Sequence, residues 1–239
     1  MSPQSRTIVD VMYLKDRMTI ARVSPGKLIV FEGPDGAGKT SLAARYAELR
    51  RKQGDVVTSL SFPGRAPGSL GRAVYGIHHD PRKFGINAMT PESLQTLHVA
   101  AHLDTIDRYV RPVIARGETV ILDRYWWSTW VYGVDSGANR STIDALIDFE
   151  RQHWGSLTPN VVVLITREDS LRAEDGGLAW SRRLSLYRMV AEREQSRYPV
   201  RVISNETTEN DALDRIAAAV DQPREQNVGS ANHPSTTNR

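Results

Sequence analysis

The stretch KLIVFEGPDGAGKTSLAARY, residues 27–46, reads as a buried strand, a glycine-rich turn and the opening of a helix. KLIVFE is a short apolar run of the kind that is covered on both faces of a parallel sheet. GPDGAGKT, residues 33–40, satisfies G-x-x-x-x-G-K-[ST], and the strand before it and helix after it supply the context that pattern needs. Gly33, Gly36 and Gly38 let the backbone wrap phosphate oxygens with N–H groups, and the helix start adds partial positive charge. Lys39 is placed to reach the β- and γ-phosphates of ATP, and the Thr40 hydroxyl to ligate Mg2+. The expected nucleotide loop is therefore Gly33, Asp35, Gly36, Ala37, Gly38, Lys39, Thr40 and Ser41.

Outward from the loop, VVTSLS (56–61), TVILD (119–123), VVVLIT (161–166) and VRVIS (200–204) are further strand-like runs. They alternate with helix-period stretches at 39–53, 91–116, 140–153, 180–195 and 209–220. Strand–helix alternation predicts an α/β fold, a five-stranded parallel sheet between helical layers. One domain is expected over 26–221, after an N-terminal extension at 1–25 in which Met18 is an alternative translation start. A disordered polar tail is expected over 222–239. FPGRAPGSLG (62–71) reads as a loop, and His78 and His79 fall in a loop-like run before Asp80-Pro81.

The 239 residues are 40% hydrophobic, enough for a sizeable core, and the net charge of +3 fits an anionic ligand without calling for a polymeric nucleic acid. There is no cysteine, which excludes disulfides, thiolate metal sites and cysteine nucleophiles and agrees with a cytoplasmic protein. No apolar run approaches the roughly 18 residues of a membrane span.

TVILD places Asp123 at the carboxyl end of a strand, where it can join Thr40 in holding Mg2+. Arg124 follows it, where a nucleotide-hydrolysing motor would carry a glutamate to activate water, and no [NT]-K-x-D guanine-reading element is present. Both features turn the expectation from hydrolysis toward a kinase, which must exclude activated water and orient a second substrate.

Three motifs in order, FEGPDGAGKT, FPGR and DRYWWSTWVYG, resemble the thymidylate kinase family of nucleoside monophosphate kinases, over about Lys27 to Asn205. The resemblance implies a three-layer P-loop kinase fold with a helical lid at about 172–185. It implies ATP- and Mg2+-dependent phosphorylation of a deoxynucleoside monophosphate, dTMP to dTDP, and a possible homodimer. It also implies that Asp35 lies near the acceptor sugar and phosphate. Phe62, Arg65, Arg124, Ser128 and Tyr132 would build the acceptor site, with Arg65 and Arg124 on the acceptor phosphate and Asp123 near Mg2+. Since the loop itself has no arginine, the transition-state cation is expected from the lid: Arg172 is a candidate, and Arg182 or Arg183 the expected catalytic residue.

The match fails in the acceptor helix LQTLHVAAHLDTIDRYVRPVIARG (94–117). Where the family resembled has a base-stacking aromatic and, four residues on, a base-reading arginine, this chain has His98 and His102, preceded by Ala101. Two imidazoles in a modified acceptor pocket, one stacking and one hydrogen-bonding, are expected; a histidine metal pair and plain buried histidines are the alternatives. A same-fold kinase with another acceptor and a nucleotide-sensing regulator compete with the leading reading. Trp126 and Trp130, spaced i and i+4, are expected in core or dimer packing, and Trp127 beside them stands at another variable position.

Overall fold

The computed structural model describes residues 26–172 and 176–222. The expected extension, the tail past Gln222 and residues 173–175 of the expected lid lie outside the described residues. β1 (Lys27–Glu32) leads through the glycine turn into α1 (Lys39–Lys52). After β2 (Val57–Ser61) come α2 (Leu70–His79), a 3-10 turn at Pro81–Phe84 and α3 (Pro91–Thr105).

The single helix expected over 91–116 is interrupted by a π segment, Ile106–Val110, before α4 (Arg111–Ala115), and the Arg111 N–H reaches the Ile106 carbonyl five residues back. Pro112 explains the break: it offers no N–H, and its ring would crowd the carbonyl four residues earlier, so the helix widens by one residue. β3 (Thr119–Asp123), α5 (Trp126–Asp135), α6 (Arg140–Trp154), β4 (Val161–Thr166), α7 (Leu178–Glu194), β5 (Val200–Ser204) and α8 (Glu209–Asp221) complete the chain.

All strands are parallel in the order β2-β3-β1-β4-β5. The central β1, β3 and β4 are almost wholly buried while the edges β2 and β5 are partly open, as the unbroken apolar runs of the central three require. Alternation splits the core into two layers. Leu28, Val30, Leu122 and Leu164 meet Trp126, Trp127 and Tyr187 on one face; Ile29, Phe31, Ile121 and Val163 meet Leu42, Tyr46 and Ile216 on the other.

The three clustered tryptophans are sealed inside this chain's own core, none more than 1% exposed. Trp127 Nε1 donates to the Tyr198 hydroxyl at 3.0 Å and Trp130 Nε1 to Asp144 at 2.7 Å, while the Arg151 guanidinium lies 4.6 Å from the Trp126 ring centroid. Each indole N–H that is named thus finds an acceptor, as burial of a polar tip demands.

His78 and His79 correct the sequence reading: they are not in a loop but in the last turn of α2. Ser69 starts that helix by accepting the Arg72 N–H, and Asp80, held out of the helical region before Pro81, ends it (φ −147°, ψ 70°). The turn signal was real but marked the end of a helix.

Candidate active site

The glycine turn is a backbone cradle. Gly33 takes φ 142°, and a Cβ there would stand 2.3 Å from the Ile165 carbonyl; Gly38 takes φ 86°, and its Cβ would stand 2.4 Å from Asn205 Nδ2. Only glycine fits either position. The Gly36 carbonyl accepts from the Leu171 N–H at 2.9 Å and the Ala37 carbonyl from the Asn205 amide at 2.9 Å. No side chain caps α1, so the N–H groups of its first turn have no acceptor in the helix and are set for an anion.

Charge is concentrated beside that cradle. Lys39 is 3% exposed, its Nζ 3.6 Å from Asp35 and 3.9 Å from Asp123. Burial, then the neighbouring Arg124, push its ammonium below the usual lysine value, while the two carboxylates pull the other way. Thr40 Oγ1 donates to Asp123 Oδ2 at 2.8 Å. The other carboxylate oxygen, Oδ1, is buried without a hydrogen-bond partner. An orphan carboxylate oxygen next to a hydroxyl is a donor set suited to a hard cation such as Mg2+.

Strand register delivers Arg124 to this point. Asp123 pairs with Phe31 across β3 and β1, and the next residue, Arg124, bonds the Phe31 carbonyl through its N–H at 2.9 Å. Arg124 holds φ 74°, a left-handed conformation rare for a residue with a side chain and concentrated at functional sites. Its guanidinium pairs with Asp35 and reaches Ser128 Oγ at 3.3 Å. Burial raises the Asp35 pKa, but Arg124 and Lys39 outweigh it and hold the carboxyl down at about 2. The Tyr132 hydroxyl accepts the Asp35 N–H at 3.0 Å, and Arg124 and Arg183 both lie over the Tyr132 ring.

These groups open on a cavity of about 450 Å³ at the carboxyl ends of the strands, where open α/β sheets bind ligands. Of the residues expected from the sequence, Asp35, Thr40, Phe62, Arg65, His98, His102, Arg124, Ser128, Tyr132, Arg172 and Arg183 line it. Lys39 and Asp123 join it through Asp35 and Thr40. Arg182 is apart: its guanidinium bonds the Val134 and Asp135 carbonyls and pairs with the Asp135 carboxylate, with 58% of the side chain exposed. Asp135 also binds Arg183 at 2.7 Å, so it anchors the lid-side helix α7 to the end of α5.

Several site residues carry no motif. Glu32, fully buried, accepts the Tyr125 and Ser128 N–H groups at 2.7 and 3.1 Å and the Ser128 hydroxyl at 2.7 Å. It caps α5 from another strand, since Tyr125 at the cap position supplies no side-chain bond. Burial raises its carboxyl to about 7, against the pull of Ser128, Arg124 and Lys39. His102 Nδ1 lies 3.0 Å from the Glu150 carboxylate and its ring stacks on Phe62 at 4.0 Å. His98 Nε2 lies 3.1 Å from His78 Nδ1. Of these, His98 and His102 were expected at the acceptor pocket from the sequence, while Glu32, Glu150 and His78 had no signal there.

A protein-family model for thymidylate kinase matches residues 31–177. The chain belongs to the thymidylate kinase family. The match begins inside β1 and spans the loop, the FPGR segment and the DRY segment, the three sequence features that carry the charged end of the cavity. A thymidylate kinase from Dinoroseobacter shibae is 38% identical over 124 residues, 52% of this chain and 56% of that protein. The chain thus spans little more than half the length of that relative. Another, from Caulobacter vibrioides, is 30% identical over 225 residues, 87% of this chain and its own full length. The crystal structure of thymidylate kinase from Ehrlichia chaffeensis superposes with a TM-score of 0.65 at 20% identity, covering 81% of this chain and 98% of that one. It supports the thymidylate kinase fold, the α/β architecture with a parallel five-stranded sheet.

Proposed function

We propose that the chain is an ATP-dependent nucleoside monophosphate kinase that converts dTMP to dTDP, a cytoplasmic enzyme that works as a homodimer. The observation that carries this reading is the juxtaposition of an uncapped phosphate cradle with a second pair of cations, Arg65 and Arg124, across one cavity. A hydrolase needs one anion site; a kinase needs two, facing each other.

In this reading residues 33–41 hold the phosphates of ATP, and Lys39 neutralises charge on the β- and γ-phosphates. Thr40 and Asp123 hold Mg2+, which supplies further charge neutralisation when bound. Arg124, fixed by Asp35, Ser128 and its own strained backbone, grips the acceptor phosphate, and Arg65 approaches it from the FPGR segment. Asp35 and Tyr132 border the acceptor sugar and phosphate. The γ-phosphoryl group passes to an acceptor phosphate oxygen as its bond to the leaving ADP oxygen breaks, and Arg183, with Arg172 nearby, faces the charge on the transferring group. Arg182 is in this account a brace for α7.

A coupled assay over dTMP, dUMP, dCMP, dAMP and dGMP tests it. The expected result is ADP release that depends on acceptor, with the highest kcat/KM for dTMP. Tight ATP binding with no transfer to any of the five would overturn it in favour of a nucleotide sensor.

A further inference from the structure

The cavity has a second wall, away from the charged groups. Gln95, His98 and His102 stand at i, i+3 and i+7 of α3 and share one face, and all three line the cavity with Thr129 of α5 and His78 of α2. Two of these rings are already engaged. His102 is bound to Glu150 and stacked on Phe62, and His98 is bound to His78.

Gln95 is different. It is 4% exposed, yet its carboxamide makes no hydrogen bond to any described residue. The unpartnered side-chain atoms sealed off from all solvent, among the described residues, are the Tyr46 hydroxyl and Asp123 Oδ1, so the Gln95 amide keeps its opening on the cavity. The Thr129 hydroxyl beside it, also 4% exposed, is in the same state. A buried amide without partners is unfavourable, and a ligand that meets both its N–H and its C=O relieves it. Its position has a definite cause: a Cβ on Gly133 would stand 3.1 Å from Gln95 Cγ and 3.1 Å from Ile143 Cδ1, so the stem lies where α5 has no side chain.

Among the described residues, the carboxylates and guanidinium groups lining the cavity are those of Asp35, Arg65, Arg124, Arg172 and Arg183, none of them on this wall. One turn along α3 from Gln95, burial, with His102 and His78 adjacent, holds His98 down at about 2, so it carries no charge near neutral pH. A neutral group with one donor and one acceptor side by side matches a ring carbonyl next to a ring N–H, the edge of thymine and uracil.

We propose that Gln95, seated against Gly133, reads the base of the acceptor, donating to the ring carbonyl and accepting from the adjacent ring N–H of a thymine-type base. The proposal rests on the kinase reading above. Its test is a chemical double cycle with dTMP and N3-methyl-dTMP on wild type, Gln95→Leu and Gln95→Met, both of which keep the volume of the stem. In wild type, N3 methylation is expected to raise the acceptor KM about 10- to 100-fold with kcat changed little. In either variant the dTMP KM rises by a similar factor and the further effect of methylation falls below about threefold, with KM for ATP and the thermal midpoint unchanged. A residue that acted only in packing would move the midpoint and leave the methylation effect whole. A wild type that phosphorylates no nucleoside monophosphate overturns the kinase reading and this proposal together. An active wild type indifferent to N3 methylation, or variants that keep the full methylation effect, overturns this proposal alone.

Discussion

The two ends of the cavity solve opposite problems. At the phosphate end Lys39 is buried and Arg124 partly buried before any ligand arrives, and Asp35 and Asp123 hold them in place as paired charge. At the base end the His98 imidazole and the Gln95 amide are uncharged, the one bound to His78 and the other left open. In the proposed kinase reading, a phosphate arriving at the first end exchanges one ion pair for another, so net affinity is modest and the strength of the site goes into holding charge as it shifts during transfer. A base arriving at the second end fills unmet hydrogen bonds, which is a gain in ground-state affinity. Substitutions at the two ends should therefore separate kcat from KM.

The largest separation is expected from Lys39→Met. It removes the cation aimed at the transferring phosphates and leaves the base wall intact, so kcat should fall about 10³-fold or more while the KM for dTMP stays within a few-fold. The thermal midpoint should change little, because the ammonium it removes is one that burial already disfavours. Steady-state kinetics beside a melting curve would check both; a KM that rose with kcat constant would reverse the assignment of the two ends.

Next comes a base-end residue that holds structure. His102→Ala strips a buried carboxylate, Glu150, of its imidazole partner, leaving Trp154 Nε1 at 3.3 Å as its one side-chain partner among the described residues, and takes the stacking ring from Phe62. A loss of about 3 kcal/mol in urea unfolding is expected. No change in unfolding midpoint would mean that the Glu150 contact is incidental and that His102 is free to serve the ligand.

Arg183 and Arg182, adjacent in sequence, divide along the same line. Arg183 lines the cavity over Tyr132, so Arg183→Ala should lower kcat about 100-fold. Arg182 points its guanidinium at the end of α5, so Arg182→Ala should cost less than about tenfold. Unchanged turnover in both single variants and the double variant would remove α7 from the chemistry.

The contrast also explains what was legible in the sequence. Phosphate chemistry admits few residue types at few spacings, so GPDGAGKT and the DR pair announced the charged end, and the buried runs around them announced the sheet. The base wall obeys no such rule, because an amide, a hydroxyl or an imidazole can each meet a base edge from several backbone positions. Gln95 becomes visible only once Gly133 is known to lie against it, a contact between residues 38 apart in the chain. Likewise the histidines of α2 were hidden because a helix ending at Asp80-Pro81 gives the same local signal as a loop. Arg182 and Arg183 could not be told apart, since neighbouring helix positions face different ways and the sequence does not say which way the helix is turned.

The smallest of these effects bears on the hinge between the two ends, where Glu32 caps α5 and so positions Arg124 on one side and Thr129 on the other. Burial raises its carboxyl from 4.5 to about 7. Between those values the unfolded chain has released the proton and the folded chain still binds it, so folding is disfavoured progressively as pH rises from 4.5 to 7. Glu32→Gln keeps an oxygen for the Tyr125 and Ser128 N–H groups and places an amide N–H toward Ser128 Oγ, which can turn its own proton to the Tyr187 hydroxyl 2.9 Å away. The variant cannot ionise. Relative to wild type it should therefore gain about 2 kcal/mol of stability on going from pH 5 to pH 7, read as the difference between paired urea titrations. If the two titrations stay parallel across that range, Glu32 ionises in the folded protein as readily as in the unfolded one, and α5 is capped by a charge rather than by a proton-bearing carboxyl.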